Sequence, residues 1–116
     1  MIISIDLDGT IADECDRQDG EDWADYYERV SPVNGAIEAI RLLKEEGNTI
    51  IIYSARWEED REVTESWLVK HEVPYDTLVL GKPYADCYVD NRALQFRSWH
   101  QVLTTIRSGG RNGRAV

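Results

Sequence analysis

Two aspartates, Asp6 and Asp8, stand at the end of the first apolar run of the chain, residues 1–5, and Gly9 and Thr10 follow them at once. Side chains two residues apart on a strand point to the same side, so both carboxylates are expected at one edge. An Asp-x-Asp-Gly sequence also suits a simple turn. Neighbouring carboxylates resist ionising together unless a cation is near, however, so the pair predicts a cation-binding or reactive site.

Other apolar runs also end in polar or charged side chains. A second strand is predicted over 49–53, and Ser54 and Arg56 follow it. A third is predicted over 77–81 and is followed by Lys82, and a short fourth strand within 85–91 ends at Asp90. Continuous rather than alternating apolar runs are typical of parallel sheets. Because the carboxyl ends of parallel strands meet at one edge, where such folds bind ligands, these groups are expected to form one site.

Segments with helical apolar spacing alternate with the strands. Helices are predicted within 21–30, 35–47, 58–72 and 92–107, with Ser98 as a cap in the last. The alternation predicts an α/β, Rossmann-like parallel sheet with helices on both faces. The same spacing places Trp23, Tyr26 and Tyr27 on one side of the first of these helices. These aromatic rings are expected either to pack against the protein or to stack on a nucleic-acid base.

The residue types at the predicted edge suit a phosphate and a divalent metal. Carboxylate oxygens are hard ligands of the kind that Mg²⁺ prefers, with water and phosphate oxygens completing its shell. Lys82 offers a positive charge, and Ser54 and Thr10 offer hydroxyl groups. Gly9 lets the backbone bend tightly beside a ligand, so that neighbouring amides can reach it.

The composition indicates a small acidic globular protein. The 116 residues predict one domain, residues 1–107, followed by a flexible basic tail, residues 108–116. The formal charge of −9 disfavours unassisted binding to a nucleic-acid backbone. Acidic residues from Asp6 onward predict no signal peptide, no apolar run is long enough to span a membrane, and a cytoplasmic location is expected.

Four motifs in order resemble those of the haloacid dehalogenase (HAD) superfamily. DLDGT resembles its first motif, Ser54 in IIIYSAR its second, Lys82 in LVLGKP its third, and Asp90 in YVDN its fourth. Members with two aspartates in the first motif are mostly phosphohydrolases. The resemblance therefore implies a HAD-type phosphatase fold over most of the chain.

The resemblance also implies a role for each matched residue. Asp6 would be the nucleophile that forms an aspartyl-phosphate, and Asp8 the acid that protonates the leaving group and then the base that activates water. The Asp6 carboxylate, the main-chain carbonyl of Asp8 and Asp90 would bind Mg²⁺. Ser54 and Lys82 would hold the phosphoryl oxygens, and Lys82 would restrain Asp6.

The fourth motif contains two acidic candidates, Asp86 and Asp90. Only Asp90 follows the apolar run CYV, so a parallel strand there would bring Asp90 to the catalytic edge. Asn91 stands where many relatives carry a second acid, which leaves its contribution to the metal site open. Arg56 is expected either to contact substrate or to form a surface ion pair.

The insertion between the first strand and the next helix, residues 11–34, can form a short flap but not a cap domain. The segments DNRALQFRSW and SAR resemble the 3′-phosphatase domain of bacteriophage polynucleotide kinases. The segment GKPYADCYVDNRA resembles small phosphatases found with capsule and sugar-nucleotide genes. Because the flap is acidic, a small phosphorylated metabolite, either a sugar phosphate or a nucleotide, is the expected substrate. The alternatives are a polynucleotide 3′-phosphatase and a non-catalytic binding module, and a homodimer is compatible with so small a flap.

Overall fold

The computed structural model describes residues 1–109, and the chain divides into two compact units, one spanning Met1–Pro83 and one beginning at Tyr84. The helices and strands of the first unit are β1 (Ile2–Asp6), α1 (Trp23–Arg29), α2 (Ala36–Glu45), β2 (Thr49–Ser54), a 3₁₀ turn (Glu58–Asp60), α3 (Arg61–Lys70) and β3 (Thr77–Leu80). The second unit contains α4 (Trp99–Arg107). None of the described helices is long and apolar enough to cross a membrane.

The first unit is built on a parallel sheet with the strand order β1-β2-β3. In its register Asp6 lies beside Tyr53, and Ser54 lies beside Leu80. The three carboxyl ends therefore meet at one edge, as the sequence predicts. The α/β, Rossmann-like prediction is confirmed.

Helix α2 shows why these segments form helices. Its buried residues, Ala36, Ala39, Ile40 and Leu43, follow the three- and four-residue spacing of a single helical face. Gly47 ends the segment with φ +92, a left-handed conformation that glycine adopts without strain. The described core is completed by almost fully buried residues of the strands, loops and helix α3, including Leu7, Ile11, Ile50, Ile52 and Leu68.

The flap, residues 11–34, is joined to the unit by a short antiparallel base. Ala12 bridges Pro32, Asp13 N–H donates to the Ser31 carbonyl at 2.7 Å, and Val33 N–H donates to the Ile11 carbonyl at 2.7 Å. Between these two arms the flap carries one helix, α1, and no further domain. The Trp67 indole on α3 donates to the Val30 carbonyl at 2.8 Å, so the flap is also fastened to α3.

The second unit differs from the sequence-based expectation. Residues 85–91 form no strand in the described structure, and Val89 is 98% exposed, so the prediction of a fourth strand is wrong. The apolar run there is only Cys87, Tyr88 and Val89, too short to stabilise a strand by burial. The predicted helix within 92–107 begins only at Trp99, where Ser98 caps it by accepting a hydrogen bond from Gln101 N–H at 3.2 Å. Of the predicted tail, residues 110–116 lie outside the described residues.

Candidate active site

The turn after β1 wraps around one carbonyl group. The Leu7 carbonyl accepts hydrogen bonds from the N–H groups of Thr10, Ile11 and Ala12, at 3.2, 2.8 and 2.9 Å. Gly9 has φ +82 and donates its own N–H to the Ala12 carbonyl at 2.8 Å. The left-handed Gly9 makes the bend possible, so the sequence Asp-Leu-Asp-Gly-Thr leaves β1 with both aspartates half-exposed at the strand end.

Asp6 forms an ion pair with Lys82. The Lys82 Nζ is 3.7 Å from Asp6 Oδ1 and 4.2 Å from the centre of the Tyr53 ring. Burial raises the pKa of the Asp6 carboxyl group, the positive charge of Lys82 opposes that rise, and the negative charge of Asp8 adds to it. Lys82 therefore stabilises the charged form of Asp6, which is the form that can attack phosphorus.

Asp8 is held by a different cation. Arg56 Nη2 donates to Asp8 Oδ1 at 2.7 Å and Arg56 Nε donates to Asp8 Oδ2 at 3.1 Å, which is the two-point geometry that a guanidinium makes with a carboxylate. The Ser54 hydroxyl donates to the same Oδ2 at 3.3 Å and accepts a hydrogen bond from Arg56 N–H at 3.0 Å. The plane of the Asp8 carboxylate is thus fixed by two side chains from the end of β2.

Arg56 is itself buried, with only 4% of its surface exposed. Its Nη1 donates to Thr64 Oγ1 at 3.0 Å, and Thr64 in turn donates to the Asp60 carbonyl at 2.7 Å. The ring of Tyr27 lies over the guanidinium, with the centre of the ring 3.6 Å from Arg56 Cζ. Arg56 therefore forms the ion pair that was one of its two expected roles, but with a buried guanidinium and not at the surface, because its partner is the half-exposed Asp8. A direct contact with substrate stays a prediction.

The ends of β2 and β3 are tied together by main-chain hydrogen bonds. Lys82 N–H donates to the Ser54 carbonyl at 2.9 Å, and Gly81 N–H donates to the Arg56 carbonyl at 3.1 Å. These bonds fix the chain on which Lys82 stands. The structure thus brings together five predicted site residues, Asp6, Asp8, Ser54, Arg56 and Lys82, beside the turn that carries Gly9 and Thr10.

The acidic candidates of the fourth motif belong to the second unit. Asp86, Asp90 and Asn91 are all exposed there, and Asp90 Oδ1 accepts a hydrogen bond from Arg92 N–H at 2.7 Å. This local bond is typical of an aspartate that begins a turn. The role of Asp90 as a metal ligand, and any contribution of Asp86 or Asn91, stay predictions.

The chemistry of the donors agrees with Mg²⁺ in the first unit. Among residues 1–109 no group of three or more His, Cys, Asp or Glu side chains is arranged to hold a metal ion. Asp6 nevertheless offers a hard carboxylate oxygen at the start of the turn, and such oxygens suit Mg²⁺. Both side-chain oxygens of Asp8 accept hydrogen bonds from Arg56, so a contribution of Asp8 would come from its main-chain carbonyl.

Three residues near the site were not predicted from the sequence. Tyr27 and Thr64 contact Arg56, and Tyr53 lies beneath the Lys82 ammonium group. Tyr27 was identified only as a member of an aromatic stripe, since nothing in its neighbours along the chain indicates a distant arginine. The helical spacing of α3 does indicate Thr64, because it places this polar residue on the buried face with Trp67 and Leu68, where its hydroxyl needs a hydrogen-bond partner.

The sequence family described as "Polynucleotide kinase PNKP phosphatase domain" matches residues 1–98. The chain belongs to this family. Membership also confirms the resemblance to HAD-superfamily phosphatases that the four motifs suggest. No match was found among curated proteins.

Solved structures support the membership of the PNKP phosphatase family. A structural-genomics target protein from Vibrio cholerae, known from its crystal structure, has 28% sequence identity to this chain and a TM-score of 0.63. The match covers 89% of this chain and 96% of that one. A chain in the structure of a Pnkp1/Rnl/Hen1 complex is 27% identical, with a TM-score of 0.54, over 78% of this chain and 30% of that one. A chain of the Pnkp1/Rnl/Hen1 RNA repair complex, 23% identical with a TM-score of 0.53, shares the fold over 89% of this chain and 29% of its own length.

Proposed function

We propose that this PNKP phosphatase-family chain hydrolyses phosphate monoesters through a covalent aspartyl-phosphate on Asp6. The observation that carries the proposal is the pairing of each aspartate with its own cation, Asp6 with Lys82 and Asp8 with Arg56. Two carboxylates in different environments can take different roles, one as nucleophile and one in proton transfer. The half-exposed position of both side chains leaves them open to a substrate.

In the first step an oxygen of Asp6 attacks the phosphorus atom and the bond from phosphorus to the ester oxygen breaks. Asp8 enters this step protonated on Oδ1, which accepts one hydrogen bond, from Arg56 Nη2, and so has room for the proton. Asp8 delivers that proton to the ester oxygen, so the leaving group departs as an alcohol. Lys82 and the Ser54 hydroxyl offset the charge of the phosphoryl oxygens, and the amides beside Gly9 and the Thr10 hydroxyl add further donors. The products of this step are the free alcohol and phosphorylated Asp6.

In the second step the Asp8 carboxylate accepts a proton from a water molecule. The water oxygen attacks phosphorus, the bond to Asp6 breaks, and inorganic phosphate leaves. Asp6 and a protonated Asp8 are thereby restored for the next cycle. Because the same group donates and accepts the proton, the fixed plane of Asp8 serves both steps.

Mg²⁺ is the cofactor of this proposal. Asp6, the main-chain carbonyl of Asp8 and Asp90 would hold the ion, which when bound neutralises negative charge on the phosphate. The donor chemistry of Asp6 and the turn supports this assignment. Asp90 enters it only through its match to the fourth motif.

The proposed substrate is the 3′-phosphate at the end of a polynucleotide. Support comes from the family match over residues 1–98 and from the likeness to a chain in the Pnkp1/Rnl/Hen1 complex. A second candidate is a small phosphorylated metabolite, which the acidic flap favours, since segment 13–25 carries seven acidic residues and one arginine. The two substrate classes share the same chemistry at phosphorus.

A substrate screen tests the proposal. Purified protein in Mg²⁺ is incubated with a 3′-phosphorylated oligonucleotide, the same oligonucleotide phosphorylated at its 5′ end, 3′- and 5′-mononucleotides, and sugar phosphates, and released phosphate is measured. We expect turnover of the 3′-phosphate over its 5′ counterpart, loss of turnover in Asp6→Asn, and loss on removal of Mg²⁺ with EDTA. Turnover of sugar phosphates alone would favour the second candidate. Absence of turnover in wild-type protein would favour a binding module.

A further inference from the structure

Helix α1 of the flap contributes a residue to the neighbourhood of Asp8. Tyr27 stands on α1, whereas Arg56 follows β2, and the tyrosine ring lies 3.6 Å from Arg56 Cζ. The contact joins the insertion to the catalytic edge within the first unit. No motif of the sequence indicates this contact.

The side-chain donors of Arg56 lie in the plane of its guanidinium. Nε and Nη2 donate to the two Asp8 oxygens, and Nη1 donates to Thr64 Oγ1. In-plane hydrogen bonds resist sliding within the plane but only weakly resist tilting out of it. A ring against the face of the guanidinium opposes that tilt and is attracted to the positive charge, most strongly where water is excluded.

We propose that Tyr27 is a positioning residue for Asp8, because its ring holds Arg56 flat against the carboxylate that moves the proton. The inference rests on the proposed phosphatase function. Tyr27 acts through Arg56, and its aromatic ring, not its hydroxyl group, carries the effect. The position of the flap helix therefore controls how well Asp8 is aligned with the leaving group.

The alignment of a proton donor matters most when the leaving group is poor. An aryl phosphate with a nitro substituent needs little protonation, whereas phenyl phosphate needs much more. The ratio of kcat/KM for 4-nitrophenyl phosphate to kcat/KM for phenyl phosphate therefore reports the alignment of Asp8. This parameter reflects steps up to phosphorylation of Asp6 and is not affected by the later hydrolysis. A loss of structure or of substrate binding lowers both values and leaves the ratio unchanged.

Two substitutions at one position separate the ring from the hydroxyl group. Tyr27→Leu keeps apolar bulk but removes the aromatic face, and we expect kcat/KM for phenyl phosphate to fall about tenfold with a change of less than about threefold for 4-nitrophenyl phosphate. Tyr27→Phe keeps the face, and both values are expected to stay within about twofold of wild type. If Tyr27→Leu does not fold, Tyr27→Met, a flexible side chain that also lacks a ring, takes its place.

Trp23→Leu is the matched control. Trp23 is an exposed aromatic residue of the same helix, and its ring centre lies 5.7 Å from that of Tyr27. We expect it to leave the ratio unchanged. The proposal is overturned by an unchanged ratio in Tyr27→Leu, by equal shifts in Tyr27→Phe and Tyr27→Leu, or by an equal shift in Trp23→Leu. Wild-type protein inactive on both esters overturns the phosphatase function and this inference together, whereas an active wild type with an unchanged ratio overturns only the inference.

Discussion

At the scale of single residues, the site is defined by how differently two similar side chains are surrounded. Asp6 faces a lysine, a flexible point charge, while Asp8 faces an arginine whose planar fork holds both of its oxygens. The flexible partner suits a nucleophile that must approach phosphorus. The rigid partner suits a group that must keep one orientation while a proton is transferred.

Replacing Asp8 with asparagine tests its role as proton donor. Asp8→Asn keeps the size and an oxygen for Arg56 but removes the transferable proton. We expect kcat/KM for phenyl phosphate to fall about 10²- to 10⁴-fold, with a clearly smaller loss for 4-nitrophenyl phosphate, in steady-state assays at fixed Mg²⁺. Equal losses for both esters would contradict the assignment.

The conformation of Gly9 yields a second prediction at this scale. With φ +82, an added Cβ is strained, and it would lie 2.8 Å from Glu14 Oε1. We expect Gly9→Ala to lower the unfolding free energy by about 1–2 kcal/mol in urea titrations and also to lower kcat/KM, because the turn carries Asp8. Gly47→Ala, which has φ +92 and open space around it, is the control that should lose stability but keep activity. Equal loss of activity in both variants would argue against a specific role of this turn.

At the scale of elements, the flap behaves as a fastened part of the fold. Within it, Arg29 forms an ion pair with Glu21, and Tyr26 accepts from Cys15 N–H at 3.2 Å and donates to its carbonyl at 2.7 Å. Its base and the Trp67 indole join it to the rest of the first unit. A flap attached at several points can hold Tyr27 in a fixed position.

The hydrogen bond from the buried Trp67 indole to the Val30 carbonyl is removed in Trp67→Phe, together with part of the buried side-chain volume. Because the Val30 carbonyl loses its partner and a cavity is left, we expect the unfolding free energy to fall by at least about 1–3 kcal/mol. Limited proteolysis should then cut the flap faster than in wild type. Trp57→Phe, at a tryptophan that is 72% exposed, should change neither measurement. Unchanged cleavage in Trp67→Phe would show that the other attachments suffice.

The pair Lys44 and Asp76 gives a pH dependence. The hydrogen bonds from Lys44, at 2.8 and 2.9 Å, and from Ile50 N–H, at 2.8 Å, hold the pKa of Asp76 below its usual range. Because the pKa is lower in the folded state, the stabilisation is present above the ordinary aspartate pKa and is lost as the pH falls through the folded one. We therefore expect the difference in melting temperature between wild type and Asp76→Asn to be largest near neutral pH and to vanish in strong acid.

Asp19→Asn is the control for that titration, since it removes the same charge from an exposed loop position. Its melting temperature should follow wild type at every pH. A difference for Asp76→Asn that persists unchanged into acid would mean that the charge of Asp76 is not what stabilises the fold.

The elements also show what the sequence can and cannot predict. The three pairing strands are predictable from the sequence, because each apolar run supplies residues to the core, such as Ile5, Ile52 and Leu78, and the polar residues at the strand ends mark the site. The run Cys87–Val89 looked similar but is exposed, since three residues bury too little surface to require a partner strand. The contacts of Arg56 with Tyr27 and Thr64 were not predictable, because they depend on how distant helices pack.

At the scale of the whole molecule, net charge decides how a substrate approaches. The formal charge is −9, and acidic residues are concentrated in the flap, beside the turn that carries Asp8. A phosphate group must therefore reach the cations Lys82 and Arg56 through a negative field. For a small ester the repulsion is slight, but for a polynucleotide each additional phosphate adds to it.

This repulsion predicts an unusual salt dependence. Proteins that bind nucleic acids through many basic contacts lose affinity steeply as salt rises, because counterions are released on binding. Here added salt screens repulsion instead, so raising NaCl from about 50 to about 200 mM at fixed Mg²⁺ should leave kcat/KM for a 3′-phosphorylated oligonucleotide unchanged or raise it.

The rise in kcat/KM should be greater for a long oligonucleotide than for a dinucleotide, and a 3′-mononucleotide should show almost none. A steep fall with salt that grows with oligonucleotide length would instead demonstrate a basic binding surface, and would contradict the electrostatic argument while leaving the chemistry at Asp6 intact.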